Sequence, residues 1–344
     1  MKHSNISIFV THVGCPHKCA FCDQHTITGS SELPHYEDVK RICLQALKQV
    51  KNPGNTEIAF FGGSFTAIPK EYMLELLQAA NIFVGEGKFK GIRVSTRPDY
   101  IDDDILSVLK KYHVTSIELG AQSLNDTVLE ANERGHTVHD IFLASKLIKT
   151  HGFELGLQLM VGLYKSDYDT EIANIQNVLD IMPDTIRIYP VVVLQGTKLA
   201  RLYEDGEYKL ISMNDVIDIC SKMLMIFEQS GIKILKCGLH ASEFVQNRMV
   251  AGFYHPAFKE LCETKIMYEN MRGELIRKGL TLHESNNIKY FVDFEVSPKC
   301  ISPAIGHKKT NSDYFKSNGV IIKVTGNKSL PKYKALVKEV RVCT

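Results

Sequence analysis

"GCPHKCAFCDQ" (residues 14–24) brings Cys15, Cys19 and Cys22 within eight residues of one another. Three thiols held so close serve a disulfide, a metal ion or a metal cluster. A disulfide leaves one cysteine over and sits badly in a reducing compartment. A structural zinc ion takes four ligands, usually as two pairs. No second CxxC occurs, so His12, His17 or His25 would have to complete such a site. An iron–sulfur cluster on three thiolates leaves one iron open to another ligand.

Around this stretch, strand-like and helix-like runs alternate. "ISIFVTHVG" reads as a strand leading into the cysteines, and "YEDVKRICLQALKQV" follows with helical spacing. "EIAFFGG", "GIRVSTRPD", "SIELGAQS", "ELGLQLMVGL" and "TIRIYPVVV" read as further strands, each followed by an amphipathic run such as "DDDILSVLKKY" or "YDTEIANIQNVLDIM". "MNDVIDICSKMLMIFEQSG" is a helix and "IKILKCGL" one more strand. Alternation over roughly 240 residues argues for a parallel sheet with helices outside it, an α/β fold. About six units suit a partial (β/α)6 barrel better than a closed eight-fold one. Residues 1–246 form this barrel. Residues 247–344 form a small α+β extension with strands "IKYFVDFEV", "GVIIKVTG" and "LVKEVRVC" and a basic loop, "IGHKKTNSDYFKSNG".

In parallel βα folds, functional groups gather at the C-terminal ends of the strands. Gly62, Gly63 and Ser64, Thr96, Gln122, Gln158, Arg187 and Tyr189 all fall there, as do the cysteines. The chain has 344 residues, 44% hydrophobic, ample for a core. Lys and Arg total 41 against 39 Asp and Glu, a net charge of 41 − 39 = +2, which gives no chain-wide signal for nucleic acid. No apolar run approaches the ~20 residues of a membrane span, and the start does not read as a signal peptide. The expected location is the cytoplasm. The six scattered cysteines (Cys43, Cys220, Cys237, Cys262, Cys300 and Cys343) read as small buried hydrophobes.

The CxxxCxxC spacing after a first strand resembles the radical S-adenosylmethionine (SAM) enzymes. The resemblance implies a [4Fe–4S] cluster on Cys15, Cys19 and Cys22 whose open iron binds SAM. A reduced cluster then splits SAM to a 5′-deoxyadenosyl radical that takes a hydrogen atom from a substrate. Phe21 matches an aromatic position that shields the cluster. "FFGGSF" resembles the glycine motif that meets the methionine amino group, implying Gly62, Gly63 and Ser64. "STRPDYID" and "ELGAQS…NERGH" resemble segments of the Elongator catalytic subunit and the oxygen-independent coproporphyrinogen oxidases. They imply SAM contacts for Thr96, Gln122 and Arg134, the Arg suiting a carboxylate. "LGLQLMVGL" places Gln158 at the SAM ribose, and "RIYP" places Arg187 near the adenine.

The similarity is strongest to bacterial Elongator-subunit-like proteins. The Elongator subunit spaces its cysteines more widely and carries an acetyltransferase domain, for which this chain ends too soon. Coproporphyrinogen oxidases have another cysteine where Gln24 stands. Short members of this group include queuine lyases, which cut the modified base queuine to 7-aminomethyl-7-deazaguanine (preQ1). This chain resembles them in length and general sequence, and "GLYKSD", "CGLHAS" and "GFYHPAF" rewrite loops at the mouth. The expected function is therefore queuine cleavage, with Glu118, Tyr189 and His240 as candidate catalytic residues and these three with Tyr254 and His255 as substrate contacts. Glu118 would accept hydrogen bonds from the guanine-like edge; its alternative is pairing within the barrel. His255, beside Pro256, has a helix-capping alternative. Expected partners are small-molecule queuine and an electron donor such as flavodoxin or ferredoxin, with no membrane; tRNA is the less favoured partner. Rival functions are tRNA modification, coproporphyrinogen-oxidase-like chemistry, and non-enzymatic metal binding or redox sensing. The last leaves the glycine, Gln and Arg positions unexplained.

Overall fold

The computed structural model describes residues 4–10, 15, 19–23, 33–239, 243–280, 282 and 285–343. His240 lies outside them, so its expected role has no structural counterpart here. The chain divides into two compact units, Met1–Ile211 with His240–Tyr254, and Ser212–Leu239 with His255–Thr344. These points of division differ from the single boundary after residue 246 read from the sequence pattern.

In the first unit, β1 (Ser4–Val10), β2 (Thr56–Gly62), β3 (Gly91–Thr96), β4 (Val114–Gln122), β5 (Glu154–Val161) and β6 (Thr185–Pro190) pair in parallel in chain order. The helices between them are α1 (Tyr36–Gln49), α2 (Lys70–Asn81), α3 (Asp103–Lys111), α4 (Asp126–Ala131), α5 (Val138–Thr150) and α6 (Tyr168–Ile181). This is the expected α/β half-barrel. Local chemistry starts the helices: Asp102, Asn125, Thr137 and Asp167 each accept a hydrogen bond from a first-turn N–H. In α5, Thr137 and Asp140 cap reciprocally.

Register decides which side chains meet. Ile8, Ile58, Phe60, Ile92, Val94, Ile117, Leu119, Leu157, Ile186 and Ile188 are buried core residues of the six strands. The alternate positions carry Glu57, Arg93, Ser116, Glu118, Gln158, Arg187 and Tyr189, and these line the concave face. Gln158 stands directly beside Arg187. The sheet is thus apolar on one face and polar on the other, which is what a lined interior requires.

"TIRIYPVVV" does not form one strand. It breaks after Pro190, and β7 (Val192–Leu194) leaves for a separate antiparallel ribbon, followed by α7 (Lys198–Glu204). Proline ends the ladder because it has no N–H to donate.

The second unit contains α8 (Met213–Gln229) and β8 (Lys233–Cys237). The first unit resumes with α9 (Glu243–Arg248) and β9 (Met249–Gly252), the partner of β7. The second then continues with α10 (Phe258–Arg277), one continuous helix, and β10 (Ser285–Val296). The basic segment read as a loop is largely helical: α11 (Ile301–Ile305), a 3-10 turn at His307–Lys309, and α12 (Thr310–Ser317). Left-handed Lys308 (φ 52°) and Lys309 (φ 67°) break it into pieces too short to show a helical period. β11 (Asn318–Gly326) and β12 (Ala335–Val342) flank β10, parallel and antiparallel respectively. Of the scattered cysteines, all but Cys343 are buried. Among the described residues, no helix is long and apolar enough to cross a membrane.

Candidate functional site

Cys15, Cys19 and Cys22 are half-buried. Cys15 Sγ lies 3.9 Å from the buried Ser64 hydroxyl. Cys19 Sγ accepts a hydrogen bond of 2.9 Å from Arg134 Nη1. Burial, then the neighbouring Cys19 and Cys15, push the Cys22 thiol up to about 12. Cys22 is therefore poorly solvated and near enough to Cys19 and Cys15 for their charge to act on it, so a lone thiolate there is disfavoured and a cation would be welcome. Phe21 packs beside them in an apolar cluster with Val128, Leu163, Val193, Leu199 and Tyr208. The Arg134 guanidinium lies over the Phe21 ring at 5.8 Å.

The glycine turn of β2 presses against the end of β1. Gly63 N–H donates to Val10 carbonyl at 2.7 Å. Gly62 has φ +111°, and a Cβ there would sit 3.0 Å from Val10 O. Only glycine takes this backbone without strain. Thr96 is committed elsewhere: its hydroxyl bonds the Thr66 hydroxyl at 2.6 Å and accepts from Thr66 N–H at 3.3 Å, tying β3 to the turn after β2.

At the end of β4 the ladder shifts register, and Gln122 adopts φ 66°. Gln122 Oε1, Ser123 Oγ and Arg134 Nε are buried with no hydrogen-bond partner among the described residues. Gly120 makes room for two of these side chains: a Cβ there would lie 3.1 Å from Gln122 Nε2 and 3.6 Å from Arg134 Nη2. His136 lies behind them with Nε2 3.4 Å from Ala121 O. Burial, then Arg134 and Arg97, push its pKa down to about 4, so it is neutral at neutral pH.

Inside the barrel, Arg93 is fully buried and ion-paired to Glu57 (2.9 Å) and Glu154 (2.5 Å). Burial opposes the Glu57 charge, but Arg93 and hydrogen bonds from Ser116 and Thr115 outweigh it and hold Glu57 below the usual carboxylate range. Nearer the mouth, Arg187 Nε donates to Glu118 Oε2 at 2.8 Å. Arg187 also stacks on Phe61 at 5.1 Å, and its charge acts on the nearby Tyr189 phenol. Glu118, Arg187 and Tyr189 are thus one connected group. Glu118 makes the barrel pairing that the sequence left as its alternative.

Tyr254 is half-buried just past β9. His255 belongs to the second unit, where its Nδ1 accepts from Ala257 N–H at 3.1 Å and its ring meets His307 edge-on at 5.6 Å. That is the helix-entry role. Sequence reasoning passed over Asn132, two residues before Arg134 in "ANERGH", a buried polar residue on a turn the sequence had marked; Ser123, beside Gln122 at the strand end the sequence had singled out, is buried as well.

A radical SAM superfamily model matches residues 9–174, and a radical SAM C-terminal domain model matches residues 183–268. The tRNA uridine(34) acetyltransferase of Methanocaldococcus jannaschii is 28% identical over 63% of this chain and 47% of its own. An uncharacterized protein of the same organism is 30% identical over 62% of this chain and 68% of its own. Elongator complex protein 3 of Saccharomyces cerevisiae is 29% identical over 52% of this chain and 37% of its own. The chain thus spans about half or less of the length of the curated acetyltransferase and Elongator relatives. The archaeal Methanocaldococcus infernus Elp3 structure superposes with a TM-score of 0.61 at 21% identity, covering 82% of this chain and 65% of that one, which speaks for the fold.

The residues present fit the superfamily's cofactors. Three cysteines near one another, whose thiolates would repel without a cation between them, suit a cationic iron–sulfur core. The buried, unpartnered Gln122 Oε1, Ser123 Oγ and Arg134 Nε, with the bare Gly62 turn, offer polar groups to a ligand beside it. The chain belongs to the radical SAM superfamily, whose enzymes work with a [4Fe–4S] cluster and SAM.

Proposed function

We propose that the protein is a queuine lyase, cleaving the carbon–nitrogen bond of queuine to give preQ1 and releasing the cyclopentenediol part. The observation that carries this reading is the Glu118–Arg187–Tyr189 group on the concave face, a buried carboxylate holding a half-buried guanidinium near a half-buried phenol. It offers fixed donors and acceptors to a small polar heterocycle.

In this reading Cys15, Cys19 and Cys22 hold the cluster, with Phe21 shielding it. Gly62, Gly63, Ser64, Gln122, Arg134 and Gln158 hold SAM. Thr96 supports the turn that carries them. The bound cofactors supply a carbon radical that abstracts hydrogen. Arg187, fixed by Glu118, and Tyr189 orient the base. Burial pushes the Tyr189 phenol up, while Arg187 draws it down; the net upward shift keeps it a neutral donor. The apolar cluster around Phe21 excludes water from the reacting atoms.

A second reading, tRNA modification, is favoured by the relatives named tRNA uridine(34) acetyltransferases. The test is a side-by-side anaerobic assay of the reconstituted protein with free queuine and with bulk tRNA. Consumption of queuine alone supports the lyase. Consumption of SAM only when tRNA is present transfers the assignment to tRNA.

A further inference from the structure

The turn after α4, residues 131–136, grips the cysteine segment. Asn132 carbonyl accepts from Ala20 N–H at 3.1 Å, and Leu199 N–H donates to Ala20 carbonyl at 2.8 Å. Ala20, between the second and third cysteines, is therefore held from both sides. Asn132 itself is fixed: its Nδ2 donates to the carbonyls of Val128 (2.8 Å) and Tyr164 (2.9 Å). Glu133, the next residue, is ion-paired to Lys198, which precedes Leu199 on α7. Left-handed backbone at Glu133 (φ 56°) and Gly135 (φ 70°) turns Arg134 toward the cysteines. Its Nη2 is anchored on Gly120 O at 2.7 Å, which aims Nη1 at Cys19 Sγ at 2.9 Å. Arg134 is only 6% exposed, so water competes little for either bond.

We propose that Arg134 is a redox-tuning donor: its N–H···S bond to Cys19 sets the potential at which the cluster accepts an electron, apart from any contact Arg134 makes with SAM. This rests on Cys15, Cys19 and Cys22 being the cluster ligands. Reduction adds one electron, from a low-potential one-electron donor, and breaks no bond. The added negative charge spreads onto the ligating sulfurs. A donor bond to one of them from a guanidinium stabilises the reduced state and raises the potential. Lysine would keep the charge but cannot span Gly120 O and Cys19 Sγ together.

The experiment is an EPR-monitored redox titration of the reconstituted protein without SAM, for the wild type, Arg134→Gln and Arg134→Lys. Formation of a wild-type [4Fe–4S] signal comes first; its failure would sink the cluster assignment itself, before any variant is measured. In Arg134→Gln the midpoint falls by about 59 mV or more, the one-electron equivalent of a tenfold change. Arg134→Lys falls by less, and serves as the test if Arg134→Gln does not retain iron. Clusters at the wild-type potential with only SAM affinity reduced would overturn the proposal and leave Arg134 a SAM ligand. Failure of both variants to load iron would also overturn it, because Arg134 would then govern assembly and not potential.

Discussion

Arg187 Nε donates to Glu118 Oε2 at 2.8 Å across 69 residues of chain, inside the half-barrel. Glu118 is 1% exposed, so neither charge is well served by water. Removing one partner of a buried pair leaves the other uncompensated, at a cost of about 3–5 kcal/mol. Glu118→Gln keeps one acceptor and should fall toward the low end, with preQ1 formation reduced at least tenfold. Glu118→Gln with Arg187→Met should recover much of the thermal stability and none of the turnover. Recovery of both would make the pair a structural feature only.

Gly62→Ala places a methyl group 3.0 Å from Val10 O at φ +111°. The strain is about 1–3 kcal/mol. Because Gly63 is anchored to the same carbonyl, relief would move the turn that faces the cysteines. Equilibrium dialysis should find SAM affinity reduced severalfold along with a lower melting temperature. Unchanged SAM affinity would remove this turn from the SAM site.

Glu171 is buried, and burial pushes its carboxyl from 4.5 up to about 7, against a hydrogen bond from Gly162 N–H. Below pH 4.5 it is neutral both folded and unfolded. Between about 4.5 and 7 the unfolded chain releases the proton first, so stability falls as pH rises. Above 7 the loss is complete, about 3 kcal/mol at 1.36 kcal/mol per unit. Glu171→Gln should flatten this part of the stability–pH curve, measured by urea unfolding from pH 4.5 to 8. An unchanged slope would contradict the assignment. Gly162 is also held by the Tyr208 hydroxyl, so Glu171 and Tyr208 together fix the unusual "GLYKSD" loop.

Asn132→Ala removes the side-chain bonds to Val128 and Tyr164 carbonyls beside the carbonyl that holds Ala20. Two buried acceptors lose their donor, at about 1–3 kcal/mol. The reconstituted variant should lose iron to a chelator several times faster than the wild type, with its SAM-free potential nearly unchanged. An unchanged rate would mean that Leu199 alone secures the loop.

Much of this was legible in the chain. The six strands follow from their runs of Ile, Val, Leu and Phe, and Gly62, Gln122 and Arg134 fall on strand ends or the turn that follows. Long-range partnership was not legible. Glu118 meets Arg187 because β4 and β6 both face the concave side of the sheet, with Gly156 on β5 leaving room beside Glu118, a relation set by register and not by local pattern. The break at Pro190 was visible as a proline, yet the apolar run continued through it. The helix at Thr310–Ser317 was hidden by its brevity and by the left-handed lysines before it.

Queuine deuterated in its cyclopentenediol ring separates hydrogen abstraction from unproductive SAM cleavage. The reconstituted protein would be given this substrate with SAM and a strong reductant, without oxygen, and 5′-deoxyadenosine and preQ1 followed by mass spectrometry. Deuterium should appear in 5′-deoxyadenosine, with preQ1 rising in equal amount, and neither product should form with Cys19→Ala. Unlabelled 5′-deoxyadenosine forming slowly with no preQ1 would contradict queuine cleavage.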